Sequence, residues 1–338
     1  MAKGVKRQFT ARLKPGDEVE DYFVAAEPVL RPFRNGSGRS GSFLRLLLKD
    51  REGALPAVLW EGAEMVYPKL GGNPVVKVRG SVNRYQGELQ VVLEAITPTE
   101  EELDPAYFLP CSPRPREEME AELAARLAEV RLVPLSELLA AFFGDPTFFA
   151  AFTRAPAAKS IHHAYVGGLL EHTLETVHFA ATIAARYPAY INRDLLLTGA
   201  FLHDCGKIIE YRIEGLAFTV SDAGRLFGHL VLGARMVEER IASCSNFPPN
   251  LKEELLHMIL AHHGSEEWGS PQPPKTINAY ALHLADYLSA EMNHFEGLIR
   301  AAGGTEGWTA VDKKLERSVY LGFLGNDEVA AGREGSSS

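Results

Sequence analysis

A histidine followed at once by an aspartate, His203-Asp204, closes the apolar run Leu195-Leu196-Leu197-Thr198-Gly199-Ala200-Phe201-Leu202. An imidazole and a carboxylate on adjacent residues form a mixed nitrogen and oxygen donor set of the kind that binds a borderline divalent cation. All eleven histidines of the 338-residue chain lie between His162 and His294, whereas random placement would put several before that point. His172 sits inside a second helical run, Leu169-Leu170-Glu171-His172-Thr173-Leu174, and Asp286 inside a third, Ala281-Leu282-His283-Leu284-Ala285-Asp286-Tyr287. Helices are stiff, so donors placed on several of them can converge on one ion and stay there. The second half of the chain is therefore expected to be a metalloenzyme.

The elements that must position these groups are helices with apolar residues at helical spacing: Glu117 to Val130, Leu135 to Phe143, Gly168 to Arg186, Leu195 to His203, Gly228 to Ala242, Leu251 to His262 and Ile277 to Leu298. The front of the chain has a different period. Val19 to Ala26, Ser42 to Lys49, Leu55 to Trp60, Val75 to Val82 and Glu88 to Ile96 alternate or run apolar with β-branched enrichment, which predicts five strands. A helix-like segment from Glu61 to Leu70 falls between the third and fourth, and Asn83 to Gly87 reads as a hairpin turn. Five strands with a helix after the third look like an OB-fold barrel, whose strand 2 to 3 face and flanking loops bind oligonucleotides.

Where such a barrel places its ligand, this sequence offers Arg31, Phe33, Arg34, Arg39, Phe43 and Tyr85, cations for phosphate and rings for base stacking. The plainer alternative makes Phe43 a core residue and the arginines a solvated loop. The charge distribution leans the same way as the rings. Residues 1–97 carry 15 Lys and Arg against 11 Asp and Glu, while the remainder carry 20 against 33, within a net charge of −9. A basic front suits a polyanion and an acidic rear suits cations.

The fold class expected is thus multi-domain α+β: a five-stranded OB-like barrel over 1–97, a Pro- and acid-rich linker over 98–116, and an all-helical domain over 117–325 with its core at 160–300. A disordered tail over 326–338 follows. No run of eighteen apolar residues exists and the start is basic and polar, which argues against a membrane span or signal peptide and for the cytoplasm. Cys111, Cys205 and Cys244 are far apart and read as packed thiols, not as a disulfide framework.

The order His172, His203-Asp204, Asp286 resembles the HD superfamily of metal-dependent phosphohydrolases. That resemblance implies that these four hold a divalent cation. It also implies that His229, in Phe227-Gly228-His229-Leu230, and His262, in Leu260-Ala261-His262-His263-Gly264, hold a second, with Asp204 bridging the two. Lys207, one turn beyond His203, is placed to add charge for a phosphate oxygen, and His263 and His163 are expected to touch substrate. His178, His257, His283 and His294 have no place in the pattern and read as structural or surface residues.

The segments Ser160-Ile161-His162-His163-Ala164-Tyr165-Val166-Gly167-Gly168-Leu169-Leu170-Glu171-His172-Thr173, His203-Asp204-Cys205-Gly206-Lys207, Gly228-His229 and His262-His263-Gly264 together resemble the YhaM family of 3′-to-5′ exoribonucleases, over nearly the whole chain. The resemblance implies hydrolysis of single-stranded RNA to nucleoside 5′-monophosphates by metal-activated water, with single-stranded DNA a further candidate substrate. One or two divalent ions are implied, Mn first, with Co, Fe, Ni, Zn or Mg also compatible with the donor set. Self-association is left open. Two rival readings stand beside this one: an HD hydrolase of free or cyclic nucleotides with a regulatory OB domain, and a non-catalytic single-strand-binding protein.

Overall fold

The computed structural model describes residues 4–33, 41–72, 74–159, 162–244, 246–304 and 307–322. Arg34, Arg39 and the expected tail lie outside these residues. The chain divides into two compact units, Met1–Cys111 with Ile213–Ala217, and Ser112–Arg212 with Phe218–Ser338.

The first unit is a closed barrel in the order β1-β2-β3-β5-β4, built from β1 (Glu18–Pro32), β2 (Ser42–Asp50), β3 (Gly53–Leu59), β4 (Val75–Tyr85) and β5 (Glu88–Pro98). Between β3 and β4 lies α1 (Ala63–Val66), continued by a 3-10 turn over Tyr67–Lys69. One long strand makes closure possible. β1 pairs with β4 through Glu18 to Val24 and with β2 through Val24 to Pro32. A bulge between Ala26 and Val29, where Glu27 takes φ 52°, separates the shared strand's two halves. An extra residue at such a point bends and twists a strand, which lets a single element serve two neighbours. Parallel pairing of β3 with β5 completes the ring, and this is the five-stranded OB architecture. Alternation then fills the interior: Leu44, Leu46 and Leu48 of β2 point in at 0 to 4% exposure, while Arg45 between them is exposed. Each side chain buried in this way stabilises the unit by about 1.5–3 kcal/mol.

The second unit carries α2 (Arg116–Leu127), α3 (Val133–Phe143), α4 (Pro146–Phe152), α5 (Gly168–Arg186), α6 (Arg193–Leu202), α7 (Lys207–Glu210), α8 (Asp222–Ser243), α9 (Pro249–Ala261) and α10 (Ile277–Ala302). Its core packs Phe142, Phe148, Phe152 and Phe201 with Leu169, Leu170, Leu195 and Leu196. α6 is the central element, because every residue from Leu195 to Leu202 is buried, and a helix apolar all round belongs inside a core. Side-chain caps start three of the helices that carry the donors. Asn192 accepts from Leu195 N at α6, Ser221 from Gly224 N at α8 and Thr276 from Ala279 N at α10; each cap contributes about 1 kcal/mol.

Among the described residues the chain departs from an all-helical expectation at a hairpin and at the antiparallel bridges Trp308–Tyr320 and Asp312–Arg317. β6 (Tyr211–Glu214) and β7 (Ala217–Val220) form a two-stranded hairpin between α7 and α8. Four-residue strands are too short for their alternation to show against helical neighbours in the sequence. The Pro- and acid-rich stretch after the barrel also holds order, a 3-10 turn at Pro105–Tyr107 capped by the Asp104 side chain. Among the described residues no single helix is long and apolar enough to cross a membrane.

Candidate metal centre and nucleic-acid face

Five histidines and two aspartates reach one region from five helices or their ends. His172 comes from the interior of α5, and His203 is the residue that caps the C-terminus of α6, with Asp204 next to it. His229 follows a break in α8: Gly228 takes φ 69° and ψ 159°, values open to glycine at little cost, so the helix kinks and re-aims the next side chain. His262 caps the C-terminus of α9, His263 is the next residue, and Asp286 lies within α10. The ends of α6 and α9 thus bring the negative poles of two helices to the same place, which favours a cation there.

The hydrogen bonds fix how each ring presents itself. Nδ1–H of His203 donates to Ala200 O (2.8 Å), of His229 to Glu210 Oε2 (2.7 Å), of His262 to Ile259 O (2.8 Å) and of His263 to Trp268 O (2.7 Å). Carbonyls and carboxylates only accept, so the proton sits on Nδ1 and the Nε2 lone pair is left bare. His172 reaches the same state by a relay. Ser289 Oγ donates to Glu175 Oε2 (2.6 Å) and is left to accept Nδ1–H of His172 (2.9 Å). Partners of this kind are what orient metal-binding imidazoles and raise their basicity.

The bare nitrogens fall into two groups. Nε2 of His172 and Nε2 of His203 are 3.2 Å apart, with Asp286 Oδ1 at 3.0 Å from the first and 3.8 Å from the second. Nε2 of His229 and Nε2 of His263 are likewise 3.2 Å apart, and the donor atoms of His229, His262 and His263 all lie within 4.8 Å of one another. Asp204 stands between the groups and is 1% exposed. Its Oδ2 is 3.4 Å from Nε2 of both His172 and His203, and its Oδ1 is 3.5 Å from His229 Nε2 and 3.6 Å from His262 Nε2.

Neither Asp204 oxygen receives a hydrogen bond of good geometry, although Lys207 Nζ approaches Oδ2 as an ion pair at 2.5 Å. Buried lone pairs on nitrogen and carboxylate oxygen, facing each other with no donor between them, are an arrangement that a cation satisfies and a purely organic core does not. The residues present fit one or two borderline divalent ions.

The electrostatics agree. Burial forces the His262 imidazolium out, to a pKa of about 3, so the ring is neutral and available as a ligand. Burial alone would raise the carboxyl of Asp204, but the positive charge of Lys207 beside it holds it well below the usual range. Burial acts against Asp286 too, and the hydrogen bond and charge of His172 outweigh it in the same direction. Lys207 is 6% exposed; burial opposes its charge, and Asp204 more than restores it.

Of the residues expected to act, the structure brings together His172, His203, Asp204, His229, His262 and Asp286. It adds His263, expected at the substrate, to the nitrogens of the second group. Lys207 is turned onto Asp204. His163 is fully buried, its N–H donating to Asn293 Oδ1 (2.8 Å) and its ring 5.2 Å from that of His172 with Nε2 3.4 Å from Glu175 Oε2. Glu175, Glu210 and Ser289, the partners that set the ring tautomers, gave no signal in the sequence. Each is an ordinary helical polar residue whose role exists only through a partner 19 to 117 positions away.

On the barrel, Phe33 and Trp60 lie stacked at 6.2 Å with 20° between planes, and Phe43 leans on Trp60 at 4.9 Å. Phe43 is half-buried, so it is a member of this cluster instead of the core. Arg31 is exposed on β1, and Tyr85 is exposed at the end of β4. Trp60 was not among the expected binding residues; its place at the end of an apolar strand hides it as one more core residue.

The HD domain family matches residues 169–291, the stretch that holds His172 to Asp286. The 3′-5′ exoribonuclease YhaM of Bacillus subtilis (strain 168) is 33% identical over 327 residues, covering 95% of this chain and 98% of its own. That of Bacillus licheniformis is 32% identical over 328 residues with the same coverage. Identity sustained across the barrel and the helical unit at once leaves one conclusion: the chain belongs to the YhaM family of 3′-5′ exoribonucleases.

Proposed function

We propose that the chain is a metal-dependent exoribonuclease that shortens single-stranded RNA from the 3′ end and releases nucleoside 5′-monophosphates. The observation that carries this reading is the convergence of four bare imidazole nitrogens on Asp204, two at each oxygen, with His263 beside the second pair. His172, His203 and Asp286 would hold one divalent cation and His229, His262 and His263 the second, with Asp204 shared. Such a pair supplies a water that is nucleophilic at neutral pH and neutralises charge on the scissile phosphate. Mn is the first choice for the metal, and the donor set also accepts Co, Fe, Ni or Zn.

The chain's own residues do the rest. Lys207 fixes the Asp204 carboxylate and keeps positive charge beside the phosphate position. Glu210 and the Glu175–Ser289 pair hold the His229 and His172 rings in the ligating tautomer. His163 packs on His172 and Glu175, a supporting position. On the barrel, the rings of Phe33, Phe43 and Trp60 suit sequence-independent stacking of bases, with Arg31 and Tyr85 as further contacts.

The test is incubation of 5′-labelled single-stranded RNA and DNA with the protein and a panel of divalent metals. A ladder shrinking from the 3′ end with RNA is expected, and its intensity with DNA measures the sugar preference. No ladder with any metal would overturn the reading.

A further inference from the structure

A second aromatic cluster lies on the helical unit, beside the second donor group. Trp268 and Tyr287 are parallel to within 3° with ring centroids 5.7 Å apart, yet remain 56% and 46% exposed. His283 leans on both, at 6.1 and 6.2 Å, and Tyr280, 55% exposed, lies 6.2 Å from His283. Four rings gathered at a surface and left open to water lose the stabilisation that burial would give them.

The cluster is fastened to the donor residues on both sides. The carbonyl of Trp268 accepts Nδ1–H of His263, so the residue that presents the indole also sets the tautomer of a ligand. Tyr287 directly follows Asp286 on α10, and His283 donates Nδ1–H to His262 O at 2.8 Å. The loop between them is pressed against α10 at Gly264, where a Cβ would come within 2.3 Å of the His283 ring, so the close approach requires glycine.

We propose that Trp268 and Tyr287 are the platform on which the base of the 3′-terminal nucleotide stacks while its phosphodiester lies at the donor groups. The proposal rests on the exoribonuclease reading and names the part of the substrate this surface takes. An enzyme that removes one nucleotide after another must hold each terminal base in turn, and a flat π face does so for all four. Two rings already parallel can extend their stack by a third planar ring.

The experiment compares RNA whose terminal nucleotide is intact with RNA whose terminal nucleotide is abasic, in the metal-loaded full chain and in the variants Trp268→Ala, Trp268→Phe and Tyr287→Ala. The unaltered protein is expected to prefer the intact end by roughly 10- to 100-fold in kcat/KM, the range set by one lost base–ring stack. In Trp268→Ala and Tyr287→Ala the preference falls towards one through a rise in KM for the intact end, and Trp268→Phe keeps an intermediate preference. Because the readout is a ratio within one preparation, a fall in the folded or metal-loaded fraction does not move it. If the unaltered protein shortens abasic ends as fast as intact ones, or both alanine variants keep the full preference, the platform is overturned. If the unaltered protein shortens no RNA with any metal, the exoribonuclease reading falls, and the platform with it.

Discussion

The two donor groups that meet at Asp204 are built on different ground. His172 and His203 are fully buried, the first inside α5 and the second against the all-apolar α6, and Asp286 reaches them from within α10. His229 and His263 are partly exposed and come from a kink and from the residue after a helix cap. The first group cannot move without unpacking the core of the unit. In the second, His262 is as buried as the first group, but His229 follows backbone that departs from helix and His263 is held by Trp268, next to the exposed rings of Trp268 and Tyr287. One group is therefore expected to keep its cation through turnover, while the other meets the substrate and exchanges its cation more readily.

Asp204 is the place where the contrast should vanish, because its two oxygens face the two groups. Asp204→Asn removes the shared charge and leaves Lys207 buried without its counter-ion, which is costly in itself. RNA hydrolysis is expected to fall by about 10³-fold or more, since both ions contribute to the acceleration. Metal content measured by mass spectrometry should drop for both equivalents. Retention of a full complement of metal with full activity would remove Asp204 from the centre.

Splitting the groups comes next. His263→Ala should lose one equivalent of metal and keep the other, with activity down roughly 10²-fold. His203→Ala should lose metal and also unfold at lower temperature, because its ring fills core space beside Ala200 and its Nδ1–H satisfies a buried carbonyl. Equal thermal shifts in the two variants would erase the distinction between a core-built and a surface-built group.

The sequence carried the first group more completely than the second for the same reason. His172 and Asp286 lie in long helices whose periodicity is plain, His203-Asp204 directly follow the apolar run of another, and α5 runs over the residues the spacing predicts, from Gly168 to Arg186. The second group depends on features that periodicity does not encode. The break at Gly228 aims His229, the chain direction after α9 brings His263 in beside His262, and Trp268 contributes a backbone carbonyl, which no side-chain pattern reports. The barrel strands were legible because β2 alternates with a clean period of two, whereas the bulge in β1 that lets the barrel close falls in an unremarkable Glu27-Pro28 step.

Proton competition separates the groups further. Burial works against a charge on His172, but the carboxylates of Asp204 and Asp286, 3.4 and 3.0 Å from its Nε2, outweigh it and raise the metal-free ring from 6.5 to about 9. That proton must leave before a cation enters, so the first group's apparent affinity should fall roughly tenfold for each pH unit below about 9. His262, held at about 3, has no proton to release near neutrality and imposes no such slope on the second group. The same shift governs the metal-free fold. A folded pKa above the unfolded value stabilises fully below about 6.5, and this contribution is lost as pH rises through about 9. Melting temperature without metal should therefore decline across that window. Calorimetric titration with Mn at several pH values checks the first point, and equal slopes for the two ions would break the comparison.

The smallest effects should come from residues that touch no ion. Glu210→Gln keeps the shape at His229 but replaces the carboxylate that fixes its Nδ1–H by an amide, which can present either an oxygen or an NH₂ group to the ring. The second group's affinity should weaken by about tenfold, the lower end of what such partners contribute. Ser289→Ala breaks the relay between Glu175 and His172, so the ring loses its acceptor and Glu175 loses a donor. The first group is deeper, with Ser289 and His172 both fully buried, so its loss should equal or exceed that of Glu210→Gln even though the substituted side chain is smaller. Each variant should weaken one ion and spare the other. If Glu210→Gln loosens the first ion as much as the second, the two groups act as one rigid cluster, and burial is not what distinguishes them.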